Sequence, residues 1–179
     1  MDIYKLIWTR LQSEIFSLLC LRAGEKLSQR EIAKILNVSP TAVANSIKKL
    51  KEDNLIKIEK TKTINFISLN RDEQKAIELK RAENLKNIYL SGLSDFIEKE
   101  FGGGTIILFG SYSNGSDTNT SDIDIAIIGR KDKLIDLEKY EKMLNRRINI
   151  NFYNSFKAIH KYLKNNILNG ILIHGGVEL

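Results

Sequence analysis

The chain has little of several residue types on which whole classes of protein depend. Its 179 residues include one cysteine, Cys20, so a disulfide framework within the chain is excluded. Two histidines, His160 and His174, leave no histidine-rich metal site. No run of 18 apolar residues occurs, and the start Met-Asp-Ile-Tyr-Lys lacks the basic and long apolar segments of a signal peptide. We therefore expect a cytoplasmic protein with no membrane partner.

Other absences and the overall size narrow the fold class. No Gly-x4-Gly-Lys-Ser/Thr segment occurs, which excludes a P-loop ATPase. Hydrophobic residues make up 42% of the chain, a share typical of folded rather than disordered proteins. A chain of this length can hold two cores of modest area. We predict an N-terminal domain over residues 1–70, a connecting helix within residues 71–100 and a C-terminal domain over residues 101–179.

Positive charge is concentrated in the N-terminal part. Residues 1–70 contain 12 Lys and Arg against 7 Asp and Glu, which gives a net charge of +5. Residues 71–179 contain 16 against 15, which gives a net charge of +1 and the total of +6. The N-terminal part is therefore where a polyanion would bind.

Three helices are predicted in the N-terminal part. Apolar residues at helical spacing over residues 11–19 indicate the first. Ser28 and Glu31 have the spacing of a capping box, which opens the second. Ser39 caps the third, with Pro40 at its first position, where a missing N–H costs nothing.

Two strands are predicted next, over residues 55–59 and 65–69, around a lysine-containing turn. This all-α order with a β-wing resembles the winged helix-turn-helix domains of many prokaryotic regulators. The resemblance implies double-stranded DNA as a partner, with Thr41 and Asn45 of the third helix reading base edges in the major groove. Lysines of the third helix and the hairpin would contact phosphates: Lys48, Lys49, Lys60 and Lys62. The alternative is a winged helix used for protein contacts or dimerisation, and homodimers are common among such regulators.

The most informative motif lies between two apolar runs predicted to be strands, Thr105–Phe109 and Ile123–Ile128. It reads Gly-Ser-Tyr-Ser-Asn-Gly over residues 110–115, then five residues, then Ser-Asp-Ile-Asp over residues 121–124. Alternate strand residues share a face, so Asp122 and Asp124 lie about 6–7 Å apart on one face. Paired carboxylates repel unless a cation lies between them, and oxygen-only ligands suit Mg²⁺. If a helix starts at the Gly-Ser turn, its N-terminus favours an anion such as phosphate.

These residues resemble the signature of the minimal nucleotidyltransferases of the polymerase-beta-like superfamily, G-S-x3-G-x5-S-D-x-D, at every fixed position. The resemblance covers residues 100–179 and implies a small α/β domain. It also implies transfer of a nucleoside monophosphate from a nucleoside triphosphate (NTP), with Mg²⁺ or Mn²⁺ held by Asp122 and Asp124. The corresponding nucleotide-binding residues are Gly110, Ser111, Gly115 and Ser121.

The family has a third carboxylate on a later strand, and this chain departs from the pattern there. A helix is predicted over residues 132–147 and a strand over Ile148–Tyr153, whose alternating face carries Asn149 and Asn151. Asparagine is a neutral ligand and cannot act as a general base. The sequence does not determine whether Asn149 or Asn151 occupies the position of the third carboxylate.

Two functions remain open. The first is a DNA-tethered nucleotidyltransferase that modifies a protein, an RNA or a small molecule; some relatives act as antitoxins that adenylylate a HEPN-type ribonuclease toxin. The second is a winged-helix transcription regulator whose nucleotidyltransferase domain senses a nucleotide or docks a partner. The intact Gly-Ser and Asp-x-Asp elements favour the first function. The missing third acid and the basic winged helix favour the second.

Overall fold

The computed structural model describes residues 8–178. These residues divide into two compact units, with the division after Lys80. No helix within residues 8–178 is both long and apolar enough to cross a bilayer. Residues 1–7, on which the expectation of a missing signal peptide depends, lie outside the described residues.

Helices and a small antiparallel sheet form the N-terminal unit. Its elements are α1 (Arg10–Leu21), β1 (Leu27–Ser28), α2 (Gln29–Ile35), α3 (Pro40–Glu52), β2 (Ile56–Lys60) and β3 (Asn65–Leu69). The predicted caps are confirmed: Ser28 and Glu31 form a capping box, and the Ser39 hydroxyl accepts a hydrogen bond from the Ala42 N–H. The predicted hairpin is β2 and β3, and the short strand β1 adds to it in the order β1-β3-β2.

The N-terminal core lies between the three helices and this sheet. Its fully buried side chains include Ile15, Leu19, Ile32, Val43, Leu50, Leu55 and Ile67. Because Val43, Ile47 and Leu50 of α3 face the core, the opposite side of α3 is left in solvent. Ala76 of the next helix is also buried in this core.

A four-stranded mixed sheet is the centre of the C-terminal unit. The chain passes through α4 (Gln74–Leu90), α5 (Leu93–Phe101), β4 (Thr105–Phe109), α6 (Gly110–Asn114), β5 (Ile123–Ile128), α7 (Glu138–Leu144), β6 (Ile148–Tyr153), a 3₁₀ turn (Phe156–Ala158), α8 (Lys161–Leu168) and β7 (Ile171–His174). The strand order is β6-β5-β4-β7, in which only β5 and β6 are parallel. The strands predicted for β4, β5 and β6 are confirmed at both ends.

Each face of this sheet has its own apolar cluster. Ile125 and Ile127 of β5 belong to the cluster that includes Ile88 of α4 and Ile97 of α5. On the other face, Ala126 packs with Phe109 and with side chains of the 3₁₀ turn and α8. Asp124 shares the face of Ala126, because alternate residues of a strand point to the same side. The carboxylates therefore lie at one end of this sheet face, and α8 packs against another part of the same face.

Two helices differ from the sequence-based expectation. The connecting helix expected within residues 71–100 is two helices, α4 and α5, because Gly92 between them has a left-handed φ of 76° that ends a helical run. The helix expected over residues 132–147 is only α7. The Asp136 carboxylate accepts a hydrogen bond from the Glu138 N–H at its start, and Asn145, at φ 50°, ends it. The sequence-based domain bounds stay a prediction, since the division between the units falls inside α4.

Candidate functional site

The turn from β4 into α6 brings the backbone of the Gly-Ser motif against a carboxylate. Gly110 has a φ of 74°, a conformation that L-residues with a side chain rarely adopt. A Cβ atom at this position would lie 2.8 Å from the Asp124 Oδ2 atom. Glycine is therefore required both for the turn and for the close approach of Asp124.

The loop that follows is held by its own hydrogen bonds. The carbonyl oxygen of Ser111 accepts bonds from the N–H groups of Gly115, Ser116 and Asp117. Gly115, at φ 80°, ends α6, and the Ser121 hydroxyl accepts a bond from the Thr118 N–H at 2.9 Å. These contacts give the loop a defined path from the Gly-Ser turn to the carboxylates. Nucleotide binding by the predicted residues of this loop stays a prediction.

Strand register decides which asparagine lies beside the two carboxylates. β5 and β6 pair in parallel, with Asp124 opposite Asn149 and Ala126 opposite Asn151. The Asn149 carboxamide donates N–H bonds to Asp122 Oδ2 at 3.1 Å and to Asp124 Oδ1 at 3.3 Å. Asn149 thus joins the two carboxylates, while Asn151 lies two residues further along the strand. No cluster of three or more His, Cys, Asp and Glu side chains suited to a metal occurs within residues 8–178.

The donor set nevertheless fits an oxygen-preferring divalent cation. Asp122 and Asp124 are half-buried and Asn149 is exposed, so the carboxylates remain accessible from one side. If the Asn149 carboxamide rotated by half a turn, its oxygen would take the place of its nitrogen and face the carboxylates. Two carboxylates and an amide oxygen form the oxygen-only set that suits Mg²⁺ or Mn²⁺.

An open cleft of about 720 Å³ adjoins Asp122. The loop at residues 119–122 forms one side, and the segment from α7 to the start of β6 forms the other. The cleft carries charges of both signs, from Glu138, Glu141, Lys142 and Arg147 among others. The cleft therefore gives a polar ligand access to Asp122 from this side.

All six side chains predicted to contact DNA are exposed. Four lie on the solvent side of α3: Thr41, Asn45, Lys48 and Lys49. Lys60 ends β2 and Lys62 lies at the tip of the hairpin. The tip is a tight turn in which the Thr61 hydroxyl accepts a bond from the Ile64 N–H and donates one to its carbonyl oxygen.

Two of the α3 lysines already have partners, one on the same helix and one at the residue that caps its C-terminus. Lys48 Nζ donates to Asn45 Oδ1 at 3.2 Å, and Lys49 Nζ lies 3.1 Å from Asp53 Oδ1. The Asn45 carboxamide must release Lys48 before both of its ends can bind an adenine edge. Exposed pairs of this kind are weak, so phosphates can compete for both lysines.

Comparison with known protein families finds one matching domain in each unit. Residues 90–174 match the family model described as a nucleotidyltransferase domain, and residues 18–57 match the one described as a winged helix-turn-helix DNA-binding domain. The chain joins a winged helix-turn-helix domain to a nucleotidyltransferase domain. No curated protein matched the chain.

Solved structures of two bacterial proteins also show a partial likeness. One is Lactococcus lactis ZitR, described as a zinc-responsive MarR family member, at 25% identity and a TM-score of 0.40 over 54% of this chain and 65% of that chain. Another is AdcR, the adhesin competence repressor of Streptococcus pyogenes, at 20% identity and a TM-score of 0.41 over 55% of this chain and 72% of that chain. The match thus spans less than two thirds of ZitR. At these TM-scores the likeness carries no functional inference.

Within the nucleotidyltransferase domain, the structure adds a buried network that the sequence did not indicate. Asp117, in the loop between the two parts of the motif, is 1% exposed. Its carboxylate accepts a bond from Asn84 Nδ2 at 2.7 Å and lies 3.8 Å from Arg146 Nη2. These residues are far apart in sequence, so no local pattern could have joined them.

Tyr112, the third residue of the Gly-Ser motif, is part of the same buried region. Its carbonyl oxygen accepts a bond from Asn84 Nδ2 at 2.9 Å. Burial raises the pKa of its hydroxyl, and the negative charge of Asp117 raises it further. The tyrosine therefore stays neutral in the folded domain at any physiological pH.

Proposed function

We propose that this chain is a DNA-binding regulator whose nucleotidyltransferase domain binds an NTP with Mg²⁺ or Mn²⁺ as a ligand. In this proposal it transfers the nucleotidyl group slowly or not at all. The observation that carries the proposal is the position of Asn149. Where relatives have a third carboxylate, this chain has a carboxamide that donates N–H bonds to Asp122 and Asp124.

The chemistry of asparagine supports a binding role over a catalytic one. An amide cannot take a proton from an attacking hydroxyl, so the nucleophile would lack a general base at this position. The ligand groups that remain are the two carboxylates and the turn at Gly110 and Ser111. A bound divalent cation would neutralise charge on the phosphates, and these residues would hold and orient the triphosphate.

The nucleotide part of the proposal is tested by titration calorimetry on the full chain. Mg²⁺ with an NTP should bind the wild type, and Asp122→Asn with Asp124→Asn should abolish the metal-dependent part of the affinity. Asn151→Asp is a matched control, because residue 151 lies opposite Ala126, two residues along β6 from the Asn149 position. Equal NTP affinity of the wild type and the double variant in Mg²⁺ would contradict the two-carboxylate site.

The DNA part is tested on the full chain by fluorescence anisotropy with random-sequence duplex DNA. We expect binding that weakens steeply as salt rises, because lysine–phosphate contacts release counterions. If no binding is detected at low salt, the winged helix serves protein contacts instead, and the chain is a partner-binding nucleotidyltransferase.

A second candidate is a working transferase that modifies a protein, an RNA or a small molecule. The complete motif and the close approach of Gly110 to Asp124 favour it. A HEPN-type toxin is one protein acceptor that the family resemblance suggests. Rapid transfer of label from an NTP by the wild type, abolished by Asp124→Asn, would establish this function in place of the first.

A further inference from the structure

Arg147 lies beside the carboxylate pair, one residue before β6. Its carbonyl oxygen accepts a hydrogen bond from the Ile123 N–H at 2.8 Å, which continues the pairing of β5 with β6. Ile123 pairs with Ile148, so Asp122 and Arg147 each precede one of two paired residues on neighbouring parallel strands. Neighbouring strands are about 4.8 Å apart, which brings the Arg147 backbone next to that of Asp122.

The Arg147 side chain lies on the same side of the sheet as the carboxylates. Burial alternates along this segment, since Arg147 and Asn149 are exposed and the residues before and between them are buried. Alternate residues of an extended segment share a face, so Arg147 lies on the side of Asn149. Arg147 and Asp122 also line the same cleft of about 720 Å³. The guanidinium therefore opens onto the cleft next to Asp122.

The other cationic side chains that line this cleft are already paired. Lys142 donates to the Glu138 carboxylate on α7, and Arg146 Nη2 lies 3.8 Å from Asp117 Oδ2. By contrast, the Arg147 guanidinium has no ion-pair or hydrogen-bond partner within residues 8–178. Its N–H donors are therefore available to a ligand in the cleft.

The charges around Arg147 select the class of that ligand. A divalent cation held by Asp122 and Asp124 would repel a guanidinium next to it. A phosphate group between the two cations reverses this effect, because its oxygens coordinate the metal and accept paired N–H bonds from arginine. Arg147 therefore favours a metal-bound phosphate over the metal alone.

We propose that Arg147 binds the phosphate of the metal-bound NTP that lies nearest the nucleoside, the α-phosphate. The inference rests on the proposed function, because it needs the triphosphate tail at the Gly-Ser turn and the metal at the carboxylates. β5 lies between that turn, which follows β4, and Arg147, which precedes β6. A triphosphate held by its tail at the turn and crossing the carboxylates therefore brings its α-phosphate to the side of Arg147.

The test is titration calorimetry of the full chain with Mg²⁺ and each of the four ribonucleoside triphosphates. Arg147→Ala should weaken binding of every NTP that the wild type binds by about tenfold or more, since hydrogen bonds between charged groups are among the stronger ones. Arg147→Lys keeps the charge but loses the paired N–H geometry, so it should recover only part of the affinity. Mg²⁺ alone should bind Arg147→Ala at least as tightly as the wild type, because a repelling cation is gone. A merely structural role would weaken both ligands.

Lys142→Ala is the matched control. It removes the same charge from the same cleft, at a side chain that already pairs with Glu138. Its NTP affinity should stay within about twofold of the wild-type value. Equal losses in Lys142→Ala and Arg147→Ala would indicate only a basic cleft and overturn the inference.

Chemical modification of the wild type provides a measurement that does not depend on a variant folding. Phenylglyoxal reacts with accessible guanidinium groups, and peptide mass spectrometry locates each modified arginine. Mg²⁺ with an NTP should slow the reaction at Arg147, whereas the exposed Arg10 should react at its NTP-free rate. An unchanged rate at Arg147 in saturating Mg²⁺ and NTP overturns the inference.

Calorimetry separates the two possible failures. If the wild type binds no NTP, the proposed function and the inference fall together. If the wild type binds an NTP and Arg147→Ala binds it with the same affinity, the inference alone is overturned, and the cleft serves another ligand.

Discussion

Asn149→Asp restores a third carboxylate beside Asp122 and Asp124. In the wild type the Asn149 nitrogen lies 3.1 Å and 3.3 Å from an oxygen of each. The variant replaces both hydrogen bonds by repulsions. Two unit charges about 4 Å apart repel by about 4 kcal/mol at an effective dielectric constant of about 20. The metal-free domain should therefore lose stability.

The net loss is smaller than these repulsions, because residue 149 is exposed and solvent screens its charge. We expect the free energy of unfolding to fall by about 1–3 kcal/mol without metal. Mg²⁺ should reverse the loss, since a ligand at about 100 times its dissociation constant stabilises the folded state by about 2.7 kcal/mol. Thermal melting of the full chain at several Mg²⁺ concentrations measures both effects.

Asn151→Asp is the control, because it adds the same charge to the same strand opposite Ala126. Its melting temperature should depend on Mg²⁺ no more than that of the wild type. Label transfer from an NTP should rise in Asn149→Asp alone, given an acceptor. If both variants respond to Mg²⁺ alike, residue 149 is not at the third-carboxylate position and the reasoning from strand register is wrong.

Three further predictions concern other parts of the chain. Lys48→Ala and Lys62→Ala should each weaken DNA binding to all sequences by a similar factor and reduce its salt dependence. Asn45→Ala should instead lower discrimination between sequences by about 1–3 kcal/mol. Fluorescence anisotropy would separate these two effects, and an equal loss of affinity for all sequences in all three variants would indicate only a basic surface. Gly110→Ala should destabilise the C-terminal domain by about 1–3 kcal/mol and weaken Mg²⁺–NTP binding, because the new Cβ meets an aspartate oxygen at 2.8 Å. If calorimetry shows that the variant binds Mg²⁺–NTP with wild-type affinity, the argument from a tight turn is wrong. Burial raises the pKa of Tyr112, so the unfolded chain loses that proton first and the free energy of unfolding should fall above about pH 10, by up to about 1.4 kcal/mol per pH unit. Urea unfolding at pH 9–11 should show a smaller fall in Tyr112→Phe, and an unchanged slope would refute this assignment.

Local sequence determined the individual elements and the motif. Caps such as Ser28 with Glu31 involve atoms three residues apart, so they form without reference to the rest of the chain. The strands around the Gly-Ser turn have apolar runs of strand length, and their bounds were predicted at both ends. Helix length was less predictable: Gly92 ends α4 because of its own backbone conformation, which a count of helix-favouring residues does not reveal.

The tertiary structure decided which residues meet. Side-chain alternation placed Asn149 and Asn151 on one face of β6, but the hydrogen-bond register between β6 and β5 selected Asn149. The bond from Asn84 to Asp117 spans 33 residues and forms only when α4 packs on the loop. The sequence by itself thus determined that the chain has a winged helix and a nucleotidyltransferase domain, because those motifs are local. Pairing of distant segments decided that a carboxamide lies beside the carboxylate pair and that α4 is hydrogen-bonded to α6, since long-range register and packing leave no local pattern.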